Sequence, residues 1–160
     1  MSRHRRLRGR WLVRVGPLAL VLVIAVGQVG QHPRRLVSMP SAAASPAEVV
    51  RAYVGALDAH DFGTAARLLT PAERKRVART WFPDVDRLTH LEIGTVVPER
   101  PQFSGHNRRT QVIDVPAGFD MTYRFRHPDA SLPRGHVRWT YRLSRTSDER
   151  PWRIFDQGAG

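Results

Sequence analysis

Apolar residues recur at helical intervals in the middle of the chain and at intervals of two towards its C terminus. Val49, Val50, Tyr53, Val54 and Leu57 lie one to four residues apart, in positions that share one face of a helix. We therefore predict an amphipathic helix at the start of the folded part, with this face turned towards the core.

The sequence also indicates where helices begin. SPAE (45–48) supplies a serine N-cap, a proline in the first turn and a glutamate that can complete a capping box. TPAE (70–73) repeats this arrangement, with a threonine as the cap and Glu73 as its partner. Between them, Asp61 precedes a short apolar helix predicted over 62–69. The Asp61 carboxylate can accept hydrogen bonds from the first backbone N–H groups of this helix. Three helices are predicted in this part of the chain.

Two longer segments alternate between apolar and polar residues. FDMTYRFR (119–126) and VRWTYRLS (137–144) carry aromatic or aliphatic side chains at every second position. This pattern is typical of a sheet that is covered on one side only, and the loop 127–136 would join the two strands as a hairpin. Shorter strands are predicted at 91–97, 110–115 and 152–155. Because the helices precede the strands, we predict an α+β fold with three N-terminal helices packed on an antiparallel sheet.

Positive charge is concentrated at the N terminus. The formal net charge is +12, yet residues 1–35 hold eight arginines and no acidic residue, whereas residues 36–160 hold 18 basic and 14 acidic side chains. A nucleic-acid-binding domain would carry its basic surplus on the fold itself. We therefore expect no nucleic-acid partner.

An apolar run follows the basic tail. Val15–Gly27 contains no charged residue, and six arginines precede it. Its length lies between that of a signal-peptide h-region and that of a membrane-spanning helix. We predict an uncleaved, single-pass anchor that contacts the membrane through residues 11–30, with Met1 in the cytoplasm because positive charge favours that side. Cleavage after Ala25-Val26-Gly27, which would release a secreted protein, is the alternative.

These features divide the chain into three parts. Residues 1–30 form the basic tail with its transmembrane or signal segment, residues 31–44 a proline-, serine- and alanine-bearing linker, and residues 45–160 the α+β domain. The predicted topology places this domain outside the cytoplasm.

The sequence offers no motif for a metal or a cofactor. It has no cysteine, and none of its seven histidines forms an H-x-H or H-x-x-x-H pair. It has no glycine-rich phosphate loop, and Ser104-Gly105-His106 lacks the strand–turn–helix context of a nucleophile elbow. We therefore expect no metal site and no cofactor.

The helical part and the strands together resemble the nuclear transport factor 2-like superfamily. The resemblance rests on AEVVRAYVGALDAHDFGTAARLLTP (47–71), on the alternating strands and on the closing PWRIFDQG (151–158). That superfamily includes ketosteroid isomerases, cyclases of the SnoaL type and many non-catalytic relatives. The resemblance implies a cone-like domain with a curved antiparallel sheet, but it does not by itself imply a function.

The isomerase branch of this superfamily implies a catalytic set that can be compared with the sequence. Tyr53 looks like the helix-1 tyrosine that donates a hydrogen bond to the developing oxyanion in those enzymes. The chemistry also requires an aspartate base and usually a second, protonated acid. Asp84 and Asp86 lie beside a proline in an apparent turn, and Asp120 falls on the polar side of its strand. Only one of three roles has a candidate, so we expect no catalytic residues.

Two groups of side chains remain candidates for binding. Some aromatic residues could line a pocket at the open end of the cone: Tyr53, Trp81, Tyr123, Trp139 and Tyr141. A basic patch is predicted on the polar face of the sheet, formed by Arg124, Arg126, Arg138 and Arg142.

The sequence favours a non-catalytic binding or assembly module of the bacterial cell envelope. Its expected partner is another envelope protein, or a second copy bound through the sheet. The alternative is an isomerase- or cyclase-like enzyme, or a ligand-binding protein, for an apolar small molecule held in the cone.

Overall fold

The computed structural model describes residues 32–80, 85–124 and 135–159. Three helices come first: α1 (Pro46–Asp58), α2 (Phe62–Leu68) and α3 (Pro71–Thr80). Five strands follow: β1 (Val85–Ile93), β2 (Val97–Glu99), β3 (Gln111–Tyr123), β4 (Gly135–Arg145) and β5 (Arg153–Ala159). The helices pack against the five-stranded antiparallel sheet, so the predicted α+β class is confirmed.

The predicted helix caps are present. The Ser45 hydroxyl accepts the backbone N–H of Glu48 at 3.3 Å, and the Glu48 carboxylate accepts the backbone N–H of Ser45 at 2.7 Å, which completes the capping box. Thr70 Oγ1 accepts the backbone N–H of Glu73 at 3.4 Å. The Glu73 side chain, however, does not return to Thr70, whose backbone N–H donates to Ile154 O instead.

Asp61 caps α2 and also fixes the segment that precedes α1. One carboxylate oxygen accepts the backbone N–H of Thr64 at 3.0 Å, and the other accepts that of Val37 at 3.0 Å. Both bonds lie in a largely buried position, because only 7 % of Asp61 is exposed.

We expect Asp61→Ala to lower the free energy of unfolding by about 2 kcal/mol, at the upper end of the range for a lost cap, because two buried N–H groups lose their acceptor. Urea denaturation followed by circular dichroism measures this loss. Asp148→Ala is the matched control: Asp148 is 79 % exposed and its surface ion pair with Arg145 should contribute less than about 1 kcal/mol. Equal losses in the two variants would contradict the capping role.

The two long strands pair as the sequence predicted. β3 and β4 are antiparallel neighbours, with Val115 opposite Tyr141 and Phe119 opposite Val137. The apolar positions of both strands lie on the side that packs against the helices, which we call the inner face. The polar positions, among them Asp114, Asp120, Arg138 and Arg142, lie on the other side, which we call the outer face.

Three strand boundaries differ from the prediction. Residues 111–115 and 119–123 of the two predicted segments belong to one continuous strand, β3, because the backbone stays extended through Pro116 and the Pro116 carbonyl accepts the Gly94 N–H at 2.8 Å. The segment 91–97 spans the end of β1 and the start of β2. β1 begins at Val85, where a solvated turn was expected, and the register shift between Thr89 and Glu92 obscures its alternation.

The sheet has the order β1-β3-β4-β5, and the short β2 pairs with β3 next to the end of β1. Leu69 also forms a bridge with Ile154 of β5, so the start of α3 lies beside the edge of the sheet. The core fills the space between helices and inner face. Its largest fully buried side chains are Tyr53, Tyr141, Phe119, Leu57, Leu68, Leu69, Met121, Leu143 and Ile154.

Part of the predicted linker contacts the domain. The backbone N–H of Arg34 donates to Ala59 O at 2.7 Å, and its guanidinium pairs with Asp86 at 2.6 Å. The predicted membrane segment, residues 11–30, lies outside the described residues. Within 32–80, 85–124 and 135–159, no helix is both long and apolar enough to cross a membrane.

Candidate functional site

Tyr53, the side chain that the resemblance singles out, lies on the inward side of α1. It is completely buried, and its ring meets that of Tyr141 edge to face, with the centroids 5.8 Å apart. Its hydroxyl oxygen accepts a hydrogen bond from Gln157 Nε2 at 2.9 Å. Gln157 is on β5, directly opposite Tyr141 of β4, so sheet register determines this contact.

Gln157 links Tyr53 to a buried carboxylate. Its Nε2 group also donates to Glu73 Oε1 at 3.0 Å, and Glu73 is only 3 % exposed. Arg76, one helical turn further along α3, donates to both Glu73 oxygens at 2.6 and 2.7 Å and to the backbone carbonyl of Gln157 at 3.2 Å. We call Tyr53, Glu73, Arg76 and Gln157 the inner polar cluster.

The electrostatics of this cluster suit a structural role. Burial raises the pKa of Tyr53 well above its ordinary value, and the nearby Glu73 carboxylate adds to the rise. Burial likewise raises the pKa of Tyr141. Glu73 already accepts bonds from Arg76 and Gln157, so it is not placed as a general base beside an open pocket. A bound reactant would first have to displace core side chains to reach Tyr53.

Glu73 and Gln157 were not identified from the sequence. Glu73 was predicted to complete a capping box, yet it lies four residues before the buried Val77, on the same side of α3. That spacing was a usable signal for an inward position. Gln157 had no such signal, because its contact with Glu73 spans 84 residues of sequence.

The predicted pocket residues do not line one open space. Tyr53 and Tyr141 meet in the core without exposed surface, whereas Tyr123 and Trp139 are partly buried at its margin. Trp81 lies outside the described residues.

The outer face carries a shallow depression of about 390 Å³. It lies where β3 and β4 meet the end of β1, and its walls include Gly94, Pro116, Gly118, His136, Arg138, Trp139 and Thr140. A β-carbon on Gly118 would come within 3.2 Å of the His136 ring, so a larger residue there would require that ring to shift.

The three described arginines of the predicted basic patch, Arg124, Arg138 and Arg142, are not brought together. Arg142 is surrounded by carboxylates: its guanidinium lies 2.5 Å from Glu99, 3.4 Å from Asp114 and 3.6 Å from Asp156. Arg124 follows β3 ten residues after Asp114, about 30 Å along the strand.

Arg124 instead donates to Nδ1 of His60 in the turn between α1 and α2, and burial lowers the pKa of that histidine. Arg126 lies outside the described residues. Of the three members of the predicted patch that the structure describes, Arg138 is the one that lies exposed on the outer face beside the depression.

Two histidines share one carboxylate beside this depression. His90 Nδ1 lies 2.8 Å from one oxygen of Asp120, and His136 Nδ1 lies 3.2 Å from the other. The hydrogen bond from His90 lowers the pKa of Asp120, and that from His136 contributes. Among the described residues, no group of three or more His, Cys, Asp and Glu side chains could hold a metal ion.

Comparison with known proteins adds no assignment. No protein-family model matches the chain, and no match is found among the curated proteins or the solved structures.

Proposed function

We propose that this chain is a non-catalytic binding or assembly module of the bacterial cell envelope, with a cone-like domain of the nuclear transport factor 2-like type. Residues 11–30 would anchor it in the membrane, and the domain would lie outside the cytoplasm. The outer face of its sheet would bind a partner protein.

The burial of Tyr53 is the observation that carries this proposal. In an isomerase-like enzyme this hydroxyl would face a bound substrate, whereas here it has no exposed surface and contacts Gln157. The nearest carboxylate, Glu73, is paired with Arg76. Groups that could perform chemistry are thus used to join α1, α3 and β5.

Unlike the inner face, the outer face is an open surface, and it carries polar, basic and apolar groups. Its depression combines a glycine- and proline-rich floor with the imidazole of His136 and the guanidinium of Arg138. Two large apolar side chains are exposed on the segment that borders the β2 edge: Val97 (51 % exposed) and Phe103 (72 % exposed). Protein interfaces commonly combine such apolar contacts with a polar rim.

Site-specific photo-crosslinking in intact cells tests the proposal. We expect a photoreactive amino acid at Arg138, on the outer face, to form a crosslink with another protein. The same group at Arg51, an exposed residue of α1, is the matched control and should not. A product with twice the mass of the chain would identify the partner as a second copy. Failure of both positions to crosslink, or equal crosslinking at both, would contradict the proposed surface.

A second function, an isomerase- or cyclase-like enzyme or a binding protein for an apolar small molecule, has one observation in its favour. The Gln157 side chain donates to both the Tyr53 hydroxyl and the Glu73 carboxylate, so a single side chain bridges a phenol and a carboxylate. This function requires the core around Tyr53 to open and admit a ligand. It predicts that Tyr53→Phe abolishes turnover or binding while the fold is retained.

A further inference from the structure

A second depression lies at the opposite edge of the sheet, where the turn after β4 leads into β5. Its volume is about 440 Å³, and it combines hydroxyl groups with guanidinium groups. We call it the arginine corner. Its polar lining consists of Thr70, Ser144, Arg145, Thr146, Arg150 and Arg153.

Arg153 is the most constrained cation of the arginine corner. It is partly buried, and its NH1 group donates to the backbone carbonyl of Trp152 at 3.0 Å. No carboxylate of the described residues lies within ion-pair distance of it. Burial lowers the pKa of Arg153, and the nearby positive charge of Arg74 lowers it further. A partly desolvated cation with a like charge beside it is unfavourable unless an anion is bound.

The neighbouring charges do not neutralise Arg153. Arg145 is already paired with Asp148 at 2.5 Å and lies over the Trp152 ring. Arg74 donates to the carbonyl of Ala66, and neither it nor Arg150 forms an ion pair with any acidic group among the described residues. Glu149, exposed in the same turn, also forms no ion pair within that part of the chain. Two arginines that line the depression, Arg150 and Arg153, therefore form no ion pair within the described residues, and the positive charge of Arg74 acts on Arg153 as well.

The contrast with Arg142 shows that this arrangement is not a general property of arginines in the domain. Arg142 lies within 4 Å of three carboxylates, and these ion pairs connect β4 with β2, β3 and β5. Arg153 is similarly limited in its exposure but has only a backbone carbonyl as its partner. Carboxylates surround Arg142, whereas hydroxyl groups line the depression beside Arg153.

We propose that the arginine corner binds a phosphate group, either as a free ion or as a phosphate ester. The planar fork of a guanidinium matches the oxygens of a phosphate, and the hydroxyls of Thr70, Ser144 and Thr146 can donate to the same oxygens. Two unpaired lining cations, with the charge of Arg74 acting on one of them, suit a dianion better than a single carboxylate. This site does not depend on the proposed partner of the outer face.

Isothermal titration calorimetry of the full chain in uncharged detergent micelles tests the proposal with three probes. Inorganic phosphate and glycerol 3-phosphate represent soluble ligands, and micelles doped with phosphatidylglycerol represent a lipid headgroup. Arg153→Gln should weaken binding of at least one probe tenfold or more. Arg87→Gln, which removes an exposed arginine from β1 at the other edge of the sheet, should change it less than twofold. The N-terminal arginines are present in every variant, so their binding is a constant background.

The three probes separate the sources of the phosphate. Binding of the soluble probes that depends on Arg153 supports a free phosphate or a small ester, and dependence seen only with phosphatidylglycerol supports a headgroup. Arg150→Gln, a change at an exposed residue that should leave the fold intact, is expected to weaken the same probe about threefold to tenfold. Equal affinities in the wild type, Arg153→Gln and Arg150→Gln, or no saturable binding of any probe, would overturn the proposal.

Discussion

Glu73→Ala is expected to lower the free energy of unfolding by about 2–3 kcal/mol, more than any single substitution on the surface. Glu73 is 3 % exposed and accepts three hydrogen bonds, two from Arg76 and one from Gln157. Its removal leaves a donor of Gln157 in the core without this acceptor and deprives Arg76 of its carboxylate. Such losses cost about 1–3 kcal/mol for a buried polar group and more for a fully buried ion pair. Arg76 is 53 % exposed, so water offsets part of the loss.

Two variants make this prediction specific. Lys75→Ala changes an exposed residue of the same helix and should alter stability by less than about 0.5 kcal/mol. Glu73→Gln keeps the shape of the side chain and one acceptor oxygen, so its loss should be smaller than that of Glu73→Ala. Chemical denaturation of the three variants gives the comparison. A change below about 0.5 kcal/mol for Glu73→Ala would show that the inner polar cluster does not join α3 to the sheet.

The helices could be predicted from the sequence because their signals are local. The Ser45 capping box closes within four residues, and the Asp61 cap reaches only Thr64. The pairing of β3 with β4 could also be predicted, since both strands alternate over long stretches and follow each other closely in the sequence. In these elements the chain neighbours of a residue already determine its environment.

Features that depend on distant residues could not be predicted in the same way. β3 continues through Pro116 because the connection after β1 supplies a donor to the Pro116 carbonyl. β1 extends back to Val85 because Tyr123 of β3 is there to pair with it. His60 lies in the turn between α1 and α2, and its ring is buried because Asp86 and Arg124 approach it from other elements.

In the candidate site, too, features that depend on local sequence could be predicted, and contacts between distant residues could not. The packing of Tyr53 in the core follows from the apolar side of α1, which the sequence displays. The environment of Arg142 does not, because its carboxylates come from β2, β3 and β5, and only the sheet register brings them together. A basic patch inferred from the alternation of two strands therefore omitted the acids that neutralise one of its members.

Alkaline pH is expected to unfold the protein through its buried tyrosines. Burial raises the pKa of Tyr53 and Tyr141 in the folded state, whereas in the unfolded chain a tyrosine ionises near its ordinary pKa of about 10. The unfolded state therefore loses these protons first. The stability from this difference is fully present below about pH 10 and is lost as the pH rises towards the folded-state pKa values. Loss of structure and ionisation of the buried tyrosines should occur together.

The measurement that tests the closed inner face most directly is the difference between the tyrosinate absorbance titrations of the wild type and Tyr53→Phe. Circular dichroism at each pH reports whether the fold is intact, and the difference between the two titrations isolates Tyr53 among the three tyrosines of the chain. The predicted result is no Tyr53 ionisation until the fold is lost. A Tyr53 step near pH 10 in protein that is still folded would contradict a buried, structural Tyr53 and indicate a hydroxyl open to solvent, as a catalytic pocket requires.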